Sequence, residues 1–218
     1  MKYKAVFFDL DGTLVNSVDD LANSANYVLK KYGYETRPVE NYKTYVGNGI
    51  RTMLLRALSP VIPEEDKMSE LLEDFFIRYS ERCHEATYPY VGVKDLVDYL
   101  KEEGIKVACI TNKVEKIAKK IIDFYFGGFD AVIGQSGKRP LKPDPAQCIE
   151  GMKILSVSPD EVLYIGDSAV DTATAKVSGF TCVGVEWGFG GIKENNTLGA
   201  DFVVKIPEQI KEIIKNAN

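Results

Sequence analysis

Apolar residues along this chain follow two different rhythms, and the change between them divides it. Ala5-Val6-Phe7-Phe8 is an uninterrupted apolar run, rich in β-branched and aromatic side chains, as expected of a strand buried on both faces. Beyond the Asp9–Val15 stretch that follows it, to about residue 86, the spacing is helical. Leu21, Ala25, Val28 and Leu29 recur at helix intervals before Gly33 stops them. A short helical piece covers 39–46, and Ile50, Met53, Leu54, Leu55 and Leu58 mark another that ends near Pro60. Pro63-Glu64-Glu65-Asp66 opens a longer helix, because proline and acids suit a helix N-terminus. Its apolar face is Leu71, Leu72, Phe75, Phe76 and Tyr79. No strand pattern interrupts this region, so it reads as an all-α insert.

After Tyr88-Pro89-Tyr90 the rhythm alternates. Strands are predicted over 105–110, 131–133, 162–165 and 182–185, with an edge strand over 200–204. Helices are predicted between and after them, over 93–103, 114–125, 145–155, 169–178 and 207–215. Strands alternating with helices imply right-handed βαβ crossovers. The expected fold is α/β: a doubly wound, mostly parallel, Rossmann-like core of residues 1–15 and 88–218, with the small all-α domain of residues 16–87 inserted after the first strand. Ligands of such sheets bind beyond the carboxyl ends of the strands.

The candidate chemistry gathers at those ends. Asp9 and Asp11 follow the first strand, two residues apart, so an extended chain points both carboxylates the same way. Gly12 breaks the strand, and Ser17 with Asp19 and Asp20 resembles a helix start. Two like charges at the end of a buried strand are costly unless a cation, a proton or a positive side chain shares the site. Thr111-Asn112-Lys113 follows the second core strand, where a hydroxyl and backbone N–H groups suit a phosphate oxygen; on local pattern alone, Thr111 or Asn112 as the N-cap of a helix from Val114 is the better reading. Lys142-Pro143-Asp144-Pro145 follows the third, with Lys138 and Arg139 as rival cations nearby. Gly166-Asp167-Ser168-Ala169-Val170-Asp171 follows the fourth, and Asp171 lies one helical turn beyond Asp167.

Composition narrows the function classes. A net charge of -5 argues against nucleic acid as the main partner, although a local basic site can still hold a small phosphorylated anion. No apolar run approaches the ~20 residues needed to cross a bilayer, and the chain enters its first strand without a signal peptide. Cys83, Cys109, Cys148 and Cys182 are widely spaced with no CxxC pair, as expected of reduced core thiols in a cytoplasmic protein. A single histidine, His84, leaves no room for a His-based metal site.

Asp9-Leu10-Asp11-Gly12-Thr13-Leu14-Val15 resembles the first motif of the haloacid dehalogenase-like superfamily of phosphohydrolases. Thr111, Lys142-Pro143-Asp144-Pro145 and the GDSxxD stretch from Gly166 resemble the second, third and fourth, in the family's order. The resemblance implies a Mg2+-dependent phosphatase. Asp9 would attack phosphorus and Asp11 would act as general acid and base. Mg2+ would be bound by Asp9, by the backbone carbonyl of Asp11 and by Asp167. Lys142 would neutralise the nucleophile and the phosphate, Thr111 and the Asn112 backbone N–H would cradle the phosphoryl group, and Asp171 would orient water or the Lys142 ammonium. The helical insert stands where the family carries its smaller cap. Within it, Val46-Gly47-Asn48-Gly49 and Arg51 are similar to the cap loop of phosphoglycolate phosphatases, which makes Gly47, Asn48, Gly49 and Arg51 candidate substrate contacts. Trp187-Gly188-Phe189-Gly190-Gly191 resembles an aromatic-glycine loop of the same group. The expected partner is therefore a small phosphorylated metabolite, with phosphoglycolate favoured, and the expected assembly a monomer or homodimer. Rival readings on the same scaffold are a phosphosugar mutase resembling beta-phosphoglucomutase, and a pyrophosphatase or nucleotidase. A non-catalytic phosphate sensor is the rival from another class, against which the acid at Asp11 speaks.

Overall fold

The computed structural model describes residues 2–189 and 199–217. Six strands form one parallel sheet: β1 (Ala5–Phe8), β4 (Lys106–Val114), β5 (Ala131–Gln135), β6 (Val162–Gly166), β7 (Thr181–Val185) and β8 (Phe202–Val204). Their order across the sheet is β5-β4-β1-β6-β7-β8, which puts the first strand in the middle. β2 (Val15–Asn16) and β3 (Tyr88–Pro89) are two-residue strands where the chain leaves and rejoins the core. Helices α5 (Val93–Glu102), α6 (Glu115–Phe126), α7 (Ala146–Leu155) and α8 (Ala169–Ser178) connect the strands, and α9 (Glu208–Asn216) follows β8. This is the α/β architecture that the alternating pattern predicts.

The apolar run of β1 is buried throughout because it has a neighbour on each side and a layer on each face. Phe7 points into a core with Ala108, Ile110, Ile133, Tyr164, Cys148 and Leu155, and meets the Phe180 ring edge-on at 5.5 Å. Phe8 points the other way, toward Phe129 at 6.5 Å. The pairing Phe8↔Cys109 and Phe8↔Ile165 sets the end of β1 level with Cys109 of β4 and the end of β6, and β4 runs on beyond that level. All four cysteines are buried, and none of them forms a disulfide.

Most element boundaries fall within two residues of the sequence expectation, and one differs by more. The predicted strand over 105–110 continues to Val114, and the pairing of β4 with β5 shifts register between Ile110 and Val114. Thr111-Asn112-Lys113 therefore lies on an irregular strand extension rather than at a helix start. Val114 takes the N-cap position of α6, with no side-chain cap bond.

Residues Ser17–Tyr88 form a second compact unit beside the unit of Met1–Asn16 and Pro89–Asn218. It contains α1 (Val18–Lys31), α2 (Val39–Tyr45), α3 (Ile50–Leu58) and α4 (Glu65–Arg82) and no strand longer than two residues among those described. Leu21, Ala25, Val28 and Leu29 of α1 and Leu71, Phe75 and Tyr79 of α4 are its buried stripes. Ser17 occupies the N-cap of α1 without a side-chain cap bond. Asp20 is instead spent within the unit: its buried carboxylate accepts from the Ala86 and Thr87 backbone N–H groups, at 2.8 to 3.1 Å, and from the Thr87 hydroxyl at 2.7 Å.

Candidate active site

The central sheet position of β1 decides what can meet. Asp9 leaves β1 as its backbone N–H donates to Ile165 of β6 at 2.9 Å, and Asp167 leaves β6 two residues later. Carboxylate oxygens of Asp9, Asp167 and Asp171 all lie within 4.8 Å of one another. Into this cluster comes Lys142, 4% exposed, from the loop before α7. Its Nζ is 2.9 Å from Asp9 Oδ1 and 2.7 Å from Asp171 Oδ1, and it donates to the Tyr164 hydroxyl at 3.0 Å. The backbone of Lys142 is fixed as well: the Asn112 carboxamide accepts from its N–H at 2.7 Å and donates to its carbonyl at 3.1 Å. The Asn112 side chain thus aims the lysine, a part the sequence did not suggest. The rival Arg139 is occupied elsewhere, held by both carboxylate oxygens of Glu150 at 2.7 and 2.8 Å and by Glu115.

Asp171 sits at the start of α8, where Ser168 and Asp171 close a capping box. Its Oδ2 accepts from the Ser168 hydroxyl at 2.6 Å, leaving Oδ1 for Lys142 and for Tyr164 at 3.1 Å. Thr111 is buried, and its hydroxyl accepts from the Lys113 N–H at 3.2 Å. Asp11 meets a cation that sequence reasoning passed over. Lys113 Nζ donates to both of its oxygens, at 2.8 and 3.0 Å, and the lysine side chain is 1% exposed. Only the irregular continuation of β4 through Val114 brings Lys113 there, so a helix expected from Val114 hid it.

The electrostatics of the cluster point to a cation. With all three carboxylates ionised, the one Lys142 ammonium leaves two negative charges, since Asp11 and Lys113 offset each other. Burial, and then the Asp171 charge, push the Asp9 carboxyl from 3.8 up to about 7. Burial alone would lower the Lys142 ammonium, but Asp171 and Asp9 outweigh it and hold the pKa above its ordinary value. A divalent ion would offset the two surplus charges, and the donors are carboxylate oxygens, which suit a hard ion such as Mg2+. The residues present fit that group, with Asp9 and Asp167 as carboxylate ligands.

Two glycines make room for Asp167. A Cβ on Gly12, whose φ is +91°, would stand 2.7 Å from the Asp167 carboxyl carbon, and one on Gly188 would stand 2.5 Å from it. Trp187-Gly188-Phe189 of the aromatic-glycine loop is described, whereas Gly190 and Gly191 lie outside the described residues.

The candidates in the helical unit are placed differently. Gly47 and Gly49 have φ of +108° and +84°, so the loop needs glycine for its backbone, and a Cβ on Gly47 would meet nothing within 4 Å. Asn48 accepts from Arg56 at 3.0 Å, and Arg56 also donates to the Tyr45 carbonyl. Arg51 forms a two-bond pair with Glu65 at 3.0 and 2.6 Å.

The chain is similar to known proteins along most of its length. The profile of the haloacid dehalogenase-like hydrolase family matches residues 6–185. A phosphoglycolate phosphatase of Pseudomonas putida is 36% identical over 192 residues, covering 85% of this chain and 70% of that protein. One from Aquifex aeolicus is 31% identical over 215 residues, covering 98% and 97%. The crystal structure of a Lactobacillus delbrueckii subsp. bulgaricus protein, provisionally named a phosphoglycolate phosphatase, superposes with a TM-score of 0.91 at 31% identity, covering 98% and 99%.

Proposed function

The chain belongs to the haloacid dehalogenase-like hydrolase family and is a phosphatase, and from that premise we propose that it hydrolyses phosphoglycolate with Mg2+ through a phosphorylated Asp9. The observation that carries the chemistry is the Lys142 ammonium lying between Asp9 and Asp171, with Asp167 beside them, at the carboxyl edge of the sheet. The substrate follows from the names of relatives at 31–36% identity.

Asp9 attacks phosphorus in line, its oxygen forming the new P–O bond as the bond to the leaving alkoxide breaks. Asp11, protonated once it leaves its ion pair with Lys113, gives that proton to the alkoxide, then takes one from the water that cleaves the aspartyl-phosphate. Lys113 keeps the Asp11 side chain ordered between these events. Lys142 holds equatorial phosphoryl oxygens, Asp171 and Asn112 fix Lys142, and Thr111 with the Asn112 backbone N–H cradles the phosphate. Mg2+, held by Asp9, Asp167 and the Asp11 carbonyl, supplies further neutralisation of the phosphate charge when bound.

Phosphate release from phosphoglycolate, a hexose 1-phosphate, a nucleoside monophosphate and pyrophosphate, each with Mg2+ and with a chelator, tests the reading. Phosphoglycolate should give a kcat/KM at least about tenfold above the others, and the chelator should abolish turnover. Isomerisation of the hexose phosphate without release would replace the hydrolase reading with a mutase.

A further inference from the structure

The loop after β7 reaches the Asp167 carboxylate directly through Gly188 and Phe189, and by way of Thr13 through Trp187. The Phe189 backbone N–H donates to Asp167 Oδ2 at 2.7 Å. Gly188 lies so close that any side chain there would overlap Asp167 and the Gly12 carbonyl. The Trp187 indole N–H donates to the Thr13 carbonyl at 3.0 Å, and the Thr13 hydroxyl donates in turn to Asp167 Oδ1 at 3.1 Å. One carboxylate is thus gripped on both oxygens, by the loop directly and by the first strand's turn, and the indole ties the two grips together. We propose that Trp187-Gly188-Phe189 is a positioning clamp that sets the Asp167 carboxylate for the divalent ion, and that Trp187, the only tryptophan in the sequence, reports whether the ion is bound. The inference rests on the Mg2+ reading above.

The clamp works by removing freedom. A carboxylate rotating about its last bond presents its oxygens to an octahedral ion only part of the time, and outer partners that fix ligand orientation typically change metal affinity by roughly 10–100-fold. Gly188 is the part that admits no substitute, because the backbone itself has to reach the carboxylate.

The test is titration of the metal-free, full-length protein with MgCl2 and no substrate, followed by Trp187 fluorescence and by calorimetry. Wild type should show a saturable fluorescence change that Asp167→Asn removes. Gly188→Ala should raise the Mg2+ Kd at least about tenfold, as expected for a lost outer partner, while circular dichroism stays that of wild type. Should Gly188→Ala fail to fold, Trp187→Phe and Thr13→Val each remove one bond of the clamp and leave the backbone alone. Each should raise the calorimetric Kd about threefold or more, with Thr13→Ser restoring it. Wild-type Mg2+ affinity in Trp187→Phe and Thr13→Val, with a saturable signal in wild type, overturns the clamp and leaves the Mg2+ reading standing. No Mg2+ binding by wild type overturns the Mg2+ reading and the clamp with it.

Discussion

The carboxyl edge of the sheet and the loop before α3 carry polar residues of the same kinds, yet dispose of them in opposite ways. At the sheet edge, charges from four separate stretches are buried together, and their mutual compensation is incomplete by two units. In the helical unit, Arg51 is matched one to one by Glu65, exposed at the surface, and Arg56 is spent on loop carbonyls and Asn48. A surface pair of that kind is worth about 0–1 kcal/mol, whereas a buried charge left without its partner costs about 3–5 kcal/mol. Surplus buried charge is a standing demand for a ligand; a satisfied surface pair makes none.

The sharpest way to break the contrast is at its centre. Asp9→Asn should lower turnover by about 10⁴-fold or more, and a phosphorylated enzyme trapped by rapid quench and seen by mass spectrometry in wild type should be absent. Residual turnover within tenfold of wild type would remove Asp9 from the reaction. Lys142→Met comes next: kcat/KM should fall by about 10²–10³-fold, and unfolding by urea should show a loss of about 3 kcal/mol or more, since Asp9 and Asp171 lose the ammonium they share. Lys113→Met should lower kcat by roughly tenfold with little change in KM, and Lys113→Arg should recover part of it, because the pair with Asp11 orders one side chain only.

The surplus charge also predicts a pH dependence. The folded Asp9 carboxyl, raised from 3.8 to about 7, holds its proton more tightly than in the unfolded chain. Protein in chelator should therefore lose stability as pH rises from about 4 to about 7, and Mg2+ should flatten that slope. Asp9→Asn in chelator at pH 8 should melt about 5 °C or more above wild type in differential scanning calorimetry. The smallest effect belongs to the surface pair: Arg51→Ala should change KM for phosphoglycolate by less than about threefold and stability by less than about 1 kcal/mol. A tenfold rise in KM would show that Arg51 leaves Glu65 for the substrate, and the contrast between the regions would dissolve.

Most of the fold was legible because parallel strands buried on both faces leave continuous apolar runs, and β1, β4 and β6 carry such runs. That Asp9, Lys142, Asp167 and Asp171 meet follows from topology, since each lies in the segment that follows a strand of one sheet at its carboxyl edge. Less was legible where backbone irregularity or packing decides. Lys113 reads as a helix-start residue until the register shift after Ile110 carries the strand past it. Tyr164 reads as core filling, and its hydroxyl bonds to Asp171 and Lys142 become visible only once β6 lies beside β1. The Glu65 partner of Arg51 is fourteen residues away across a turn, a pairing no local pattern encodes.

Asp20 carries a last consequence. By gripping residues 86 and 87 from the first turn of α1, it stitches together the outgoing and returning ends of the helical segment inside that segment. An excursion whose two ends are fastened to each other behaves as a cassette, able to be exchanged or shortened without redrawing the strand ends that carry the acids.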